Sequence, residues 1–237
     1  MHQIAYITDI HLDEKFTLDE GVDARKNWLI ILEDVKSRGI SQIIFGGDIG
    51  TPESNSWFFN SLKEFDLSIT LGNHDSFEEA VKYFNPGLPE GQKALYYAME
   101  SEFLKLIFLD SSTGRIDDAQ FQWFKRSLDT SKPIILFIHH PILETGTTPQ
   151  REFPWESPQQ LKEELLKISN PLTIFCGHLH LMSEVTESNM TQFVTPSASV
   201  QIKPHSEKTE IEGVNFGYRI ITTDGEKISN EIIWLEN

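Results

Sequence analysis

From residue 1 to about residue 169, short runs of β-branched and aromatic residues alternate with amphipathic stretches of helical period, and that alternation admits few folds other than stacked β-α units. The runs fall at residues 3–8, 42–45, 67–71, 104–109 and 133–138. Between them, helix starts are marked by Thr51 before Pro52, by Asp117 three residues ahead of Gln120, and by Ser157 before Pro158 with Gln160 placed to close a capping box. Trp28, Leu29, Leu32 and Val35 recur at helical spacing, and Gly39 stands where a left-handed cap would end that helix. After a further run at 172–176 the helical period disappears. Residues 184–186, 191–195, 218–223 and 228–235 read as successive strands, so the last quarter, about 181–237, is expected to be an antiparallel addition. No Ser/Gly-rich linker, charge block or repeat divides the chain, and 1–237 reads as one domain. Stretches 144–156 and 196–215 are longer than ordinary connections and are candidate functional loops.

Composition narrows the function classes. With 39% apolar residues in 237, the chain can bury a sizeable core, which excludes intrinsic disorder. A single cysteine, Cys176, excludes an internal disulfide framework and a thiolate zinc cluster, and fits a reducing compartment. The first residues run straight into a strand pattern without a signal-peptide start, and no window approaches 18 consecutive apolar residues; the expectation is a cytoplasmic protein with no membrane partner. A formal net charge of −16 repels nucleic-acid polymers and anionic membrane faces.

The chemistry is concentrated at strand ends. Of the eight histidines, His11, His74, His139, His140, His178 and His180 lie just beyond an expected strand, and only His2 and His205 do not. Asp9-Ile10-His11 ends the first run, Gly47-Asp48 the second, and Gly72-Asn73-His74-Asp75 follows the third. His139-His140-Pro141 and Gly177-His178-Leu179-His180 follow two later ones. In a β-α sheet the carboxyl ends of the strands converge on one edge where ligands bind, so these five clusters are expected to meet. Asp9 and His11, like His178 and His180, are two apart, a spacing that an extended chain projects to one side. Carboxylate, imidazole and amide donors without thiolates suit Mn, Fe, Zn or Mg, and glycine before Asp48, Asn73 and His178 lets backbone approach closely. A lone histidine near a strand end is ordinarily a surface or satisfied-core residue. Five such clusters in one order are not ordinary.

This ordered set resembles the signature of the calcineurin-like metallophosphoesterases, over residues 9–180. The resemblance implies a four-layer α/β/β/α sandwich of two mixed sheets flanked by helices, and a dinuclear site of two divalent ions. One ion would be held by Asp9, His11, Asp48 and His180, the other by Asp48, Asn73, His139 and His178, with Asp48 as the bridge. It implies attack by a hydroxide bridging two ions roughly 3.5 to 4 Å apart. His74 would stand beside the leaving group, as a proton donor or as a stabilising cation, with Asp75 as a candidate to orient its ring. The family pattern, not spacing, selects His139 over His140 as ligand, and leaves His140 either facing phosphate or supporting a ligand.

The family contains several reactions, so the surroundings must choose among them. The tail Thr195 to Gln201, with Lys203-Pro204-His205-Ser206 and Gly217-Tyr218-Arg219, resembles the end of bacterial class III cyclic-nucleotide phosphodiesterases. That likeness implies a small phosphodiester substrate such as a 3′,5′-cyclic nucleotide, and by analogy a homodimer through the C-terminal strands. Ser76, Ile142 and Ala198-Ser199 depart from that group's usual residues. Phe153 and Trp155 are candidates for stacking on a nucleobase and Arg151 for meeting phosphate, against the ordinary alternatives of loop anchors and a solvated cation. Tyr218 and Arg219 receive no role. The competing readings are a phosphomonoesterase, a nucleotide-pyrophosphate hydrolase, or a protein-binding scaffold on the same fold; a nuclease is disfavoured by the acidic charge.

Overall fold

The computed structural model describes residues 1–225 and 227–236. In chain order the first half forms β1 (His2–Ile7), α1 (Lys15–Asp19), α2 (Ala24–Ser37), β2 (Gln42–Phe45), α3 (Asn55–Ser61), β3 (Asp66–Ile69), α4 (Phe77–Ala80), β4 (Tyr97–Glu100) and β5 (Lys105–Phe108). There follow α5 (Asp118–Ser127), β6 (Ile134–Phe137), α6 (Thr148–Glu152), α7 (Pro158–Leu165), β7 (Leu172–Cys176), β8 (Ser183–Glu187) and β9 (Met190–Val194). The chain ends with β10 (Gln201–Ile202), β11 (Ile211–Gly213), β12 (Phe216–Asp224) and β13 (Lys227–Leu235).

Two large sheets have the orders β13-β12-β1-β2-β3 and β4-β5-β6-β7-β9-β8, and β10 pairs only with β11. Parallel β1, β2 and β3 form one side of the first sheet, with β3 at its edge, and parallel β5, β6, β7 and β9 form the centre of the second. Strands buried on both faces explain the near-continuous apolar runs of the sequence. In β1, Ala5 and Ile7 face the helices while Ile4 and Tyr6 face the other sheet; in β6, Ile134 and Leu136 alternate with Ile135 and Phe137 in the same way. The middle layer is aromatic: Tyr6 lies 5.5 Å from Phe137 and 5.9 Å from Phe175, ring centre to ring centre. Outside the first sheet pack Trp28, Ile31, Leu32 and Val35 of α2 with Phe58 and Phe59 of α3. Outside the second pack Phe124 of α5 and Leu161 and Leu165 of α7. The result is the four-layer α/β/β/α sandwich.

Gly39 takes the expected left-handed conformation, φ +72°, and its N–H donates to the Lys36 carbonyl. Leu29 does not join the apolar face of α2 and is 54% exposed; Ile31, absent from the expected set, is buried in its place. Asp117 caps α5 by accepting from Gln120 N–H, but Ser157 forms no capping box, because its hydroxyl accepts the Ile116 N–H from another loop. The C-terminal addition is antiparallel only in part: β9 folds back from β8 to run parallel to β7, while β12 and β13 are antiparallel. Arg219, on the inter-sheet side of β12 and 3% exposed, joins the sheets by donating to the Val194 carbonyl and to Thr195 Oγ1. Among the described residues no helix is long and apolar enough to cross a membrane.

Candidate metal centre

All five polar clusters sit on loops that leave the carboxyl ends of β1, β2, β3, β6 and β7, and the face-to-face packing of the sheets brings the two groups of loops together. Turning sharply out of a strand forces unusual backbone. Among the described residues seven non-glycine positions have positive φ, and Asp9, His11, Asp48, His178 and His180 are five of them, between +50° and +70°. Each costs on the order of 1 to 3 kcal/mol, a strain that clusters at functional sites. Tight approach is part of the same geometry: a Cβ on Gly72 would collide with the Asp48 carboxylate, and one on Gly177 with that of Asp9.

The strained turns aim their side chains at one buried centre. Asp9, His11, Asp48 and His180 offer ligand atoms all within 4.8 Å of one another. His180 Nε2 lies 3.3 Å from Asp9 Oδ1 and 2.9 Å from His11 Nε2. Asp48 Oδ2 stands between two imidazoles, 3.5 Å from His11 Nε2 and 3.2 Å from His139 Nε2, while Oδ1 accepts the His74 N–H. His178 is half-buried, with its ring 5.3 Å from that of His139, and Asn73 is exposed at the mouth.

Surrounding carbonyls set the tautomers. His139 Nδ1 donates to Gly46 O at 2.8 Å and His180 Nδ1 to Val200 O at 3.1 Å, which leaves Nε2 of each facing a carboxylate. His178 Nε2 donates to Phe153 O at 3.2 Å, which leaves its Nδ1 lone pair outside that bond. His139 Nε2 is buried without a hydrogen-bond partner. Imidazole lone pairs pointed at one another and at buried carboxylates are the arrangement a divalent cation completes, so the residues fit the metal role. The same crowding governs protons: burial would raise Asp9, but His180 and His139 outweigh it and hold the carboxyl at about 2. Burial would lower His139, but Asp48 and Asp9 drive it up to about 10. His178, which lacks so close a carboxylate, is brought down to about 4 by burial and by His139.

His74 reaches the site from the loop after β3, with its side chain 39% exposed and Nδ1 2.9 Å from the Glu14 carboxylate. That hydrogen bond raises His74 to about 9. Asp75, expected to orient the ring, does not do so: its oxygens accept the N–H groups of Gly72, Asp48 and Ile49 and staple two loops together. Glu14 escaped the sequence reading because a carboxylate three residues beyond His11 matches no motif. Ser197 and Ser199 were also missed as supports; both hydroxyls donate to Asp9 O, at 2.8 and 2.9 Å, and hold the turn in place.

His140 is 3% exposed, 2.8 Å from Ser111 Oγ, and stacked on Trp155 at 5.5 Å. Its ring lies against that of His178, 4.2 Å away centre to centre. Trp155 is half-buried, packs against the core and donates Nε1–H to Pro141 O. Arg151 spends its guanidinium on Gly146 O and Thr148 Oγ1. Phe153 is 53% exposed. Arg151, Phe153 and Trp155, with His178, line a cavity of about 530 Å³ beside the Asp/His cluster; His140 does not line it.

The model of the calcineurin-like phosphoesterase family matches residues 2–182. A probable cyclic nucleotide phosphodiesterase of Fibrobacter succinogenes is 26% identical over 212 residues, 86% of this chain and 82% of that protein. A probable glycerophosphodiester phosphodiesterase of Arcobacter nitrofigilis is 26% identical over 217 residues, 84% of this chain and 79% of that one. Among solved structures, a dimetal phosphatase from Danio rerio superimposes with a TM-score of 0.59 at 11% identity, over 98% of both chains, a likeness of fold.

Proposed function

The chain belongs to the calcineurin-like phosphoesterases and is a metal-dependent phosphohydrolase, and from that premise we propose that it hydrolyses a small phosphodiester, a 3′,5′-cyclic nucleotide such as cAMP. The observation that carries the substrate class is the cavity of about 530 Å³ that opens at His178, with the exposed Phe153 ring at its wall. It has the volume of a small-molecule site and a flat apolar side chain beside the phosphate end, as a base-bearing ester needs. The Fibrobacter relative's name points the same way.

Asp9, His11, Asp48 and His180 would hold one divalent ion, and Asp48, Asn73, His139 and His178 the second. Bound there, such ions lower the pKa of water and polarise the phosphoryl oxygens. The chain does the rest. Gly46 O, Val200 O and Phe153 O keep each imidazole in the tautomer that presents a lone pair inward. Ser197 and Ser199 fix the Asp9 turn, and Asp75 fixes that of Asp48. His74 meets the departing oxygen and holds the proton it receives at Nε2. The phosphate enters an acidic molecule of net −16, which disfavours a long polyanion and tolerates one compact anion at a cationic centre.

A second reading is a glycerophosphodiester substrate, which the Arcobacter relative favours. The test is hydrolysis of 3′,5′-cAMP, glycerophosphoethanolamine and bis(p-nitrophenyl) phosphate by Mn-reconstituted and chelated protein. Metal-dependent cleavage of cAMP and the aryl diester is the expected result. Cleavage of glycerophosphoethanolamine in preference to cAMP supports the second reading, and cleavage of the aryl diester alone discards both natural substrates.

A further inference from the structure

Glu14 stands outside the ligand set and the motif that carries it, yet its carboxylate is only 12% exposed and turned into the site. It occupies the N-cap of α1, where a side chain ordinarily accepts an amide of the first turn; here no such bond forms. Thr17 secures the turn instead, its hydroxyl donating to Glu14 O and His11 O. Freed from capping, the Glu14 carboxylate lies 2.9 Å from His74 Nδ1 and 3.3 Å from His11 Nδ1. The Phe16 ring closes the same wall, 4.8 Å from the His11 ring and 6.5 Å from that of His74. Asp75 cannot serve His74, because three backbone N–H groups occupy its oxygens.

We propose that Glu14 is the positioning residue of His74: the carboxylate fixes the ring by Nδ1 and turns Nε2 to the departing oxygen. The proposal rests on the leaving-group role of His74 given above. A carboxylate on one ring nitrogen fixes tautomer and rotation together and leaves the other nitrogen for the reaction. As water forms its bond to phosphorus and the ester P–O bond breaks, the proton on Nε2 passes to the departing oxygen. Nδ1 keeps its proton toward Glu14, and the ring regains the lost proton from solvent. From a cyclic diester the product is one ring-opened monoester with a free hydroxyl, from an acyclic one a monoester and an alcohol; the attacking water's proton goes to solvent, and nothing is oxidised or reduced.

The test combines Glu14→Ala, His74→Ala and the double variant on aryl methyl phosphodiesters whose leaving phenols rise in pKa, with metal content measured on each protein. Glu14→Ala is expected to lower kcat roughly 10- to 100-fold. The loss grows as the leaving group worsens, KM stays nearly constant and both metals are retained. In the His74→Ala background the same substitution is expected to cost nothing further, since two residues acting as a unit are not additive. In metal-free protein at alkaline pH, where the ring is neutral, long-range ¹H–¹⁵N spectra are expected to give the Nδ1-protonated pattern for His74, lost in Glu14→Ala and regained in Glu14→Gln. An equal loss in the His74→Ala background, or loss of metal in Glu14→Ala, overturns the proposal by placing Glu14's action on His11. Full activity of Glu14→Ala beside a crippled His74→Ala overturns it and leaves the His74 role standing. Full activity of His74→Ala overturns the leaving-group role itself. If the alanine variant fails to fold, Glu14→Leu, which keeps the bulk and removes the acceptor, carries the same comparison.

Discussion

Among single residues, Asp48 has the most to do. One oxygen faces an imidazole from each proposed ligand set, the other accepts the His74 N–H, and its own N–H is held by Asp75. Asp48→Ala is therefore expected to abolish hydrolysis and to bring bound metal down to one ion or none, as metal analysis of the purified variant would read; normal turnover would contradict the bridge. His74→Ala differs, since the ring lies 39% exposed at the rim: both metals stay and kcat falls by roughly 10²- to 10⁴-fold. The Glu14–His74 pair also gives chelated protein a stability profile. His74 is raised to about 9, so its contribution is complete below the ordinary 6.5 and is lost as pH climbs through 9. Glu14 is lowered to about 2, burial opposing and the hydrogen bonds to His11 and His74 prevailing, so its share is lost only as pH falls through 2. Urea melts of metal-free protein should lose stability between pH 6.5 and 9, and less so in Glu14→Gln. The convergence of the polar clusters was legible because five strand-end clusters follow one another in one order. Glu14, Ser197 and Ser199 were not, because supports need only a hydrogen-bonding atom and nearness in space, and spacing in sequence records neither.

At the scale of elements, the central strands were legible within a residue or two, since burial on both faces writes an unbroken apolar run. The edge strand β4 was not: Ala98, Met99 and Glu100 are exposed, and besides its antiparallel pairing with β5 its side-chain anchor is Tyr97, stacked on Phe108 at 4.4 Å and bonded to the Ile69 backbone. The long loops contain short elements, α6 in one and the β10–β11 pair in the other. They brace each other: Thr148 N–H donates to Pro204 O and Thr148 Oγ1 to Ser206 O. Within this assembly Phe153 and Trp155 separate. The exposed Phe153 touches the cavity, so Phe153→Ala should raise KM for a cyclic nucleotide several-fold and leave a small aryl diester nearly unaffected. Trp155 carries the His140 stack and packs against the core, so Trp155→Ala should cost about 2 kcal/mol of stability and impair both substrates alike. Kinetics on both substrates with a urea melt distinguishes the two side chains; equal kinetic effects would make Phe153 an anchor as well.

For the whole molecule, charge and metal act on one balance. A chain of net −16 repels itself, and the repulsion is sharpest where Asp9 and Asp48 are buried together, 0% and 2% exposed. In metal-free protein the proton held by His139 offsets part of it; divalent ions would do so without it and add up to four positive charges. A ligand that binds only the folded state stabilises it by about 2.7 kcal/mol at one hundred times its dissociation constant. In a domain of this size that is about 5 to 10 °C per site. Mn added to chelated protein is therefore expected to raise Tm by that order, and a monovalent salt to raise it by less, through screening alone. Asp48→Ala makes the cause readable. Removing the carboxylate relieves its repulsion with Asp9 but strands the His139 cation and the His74 backbone N–H, so the chelated variant should be less stable than chelated wild type, and most of the Mn-dependent rise should vanish with it. If the rise survives in the variant, the stabilising ions bind elsewhere on the acidic surface, and Asp48 is not the residue that couples metal to the fold.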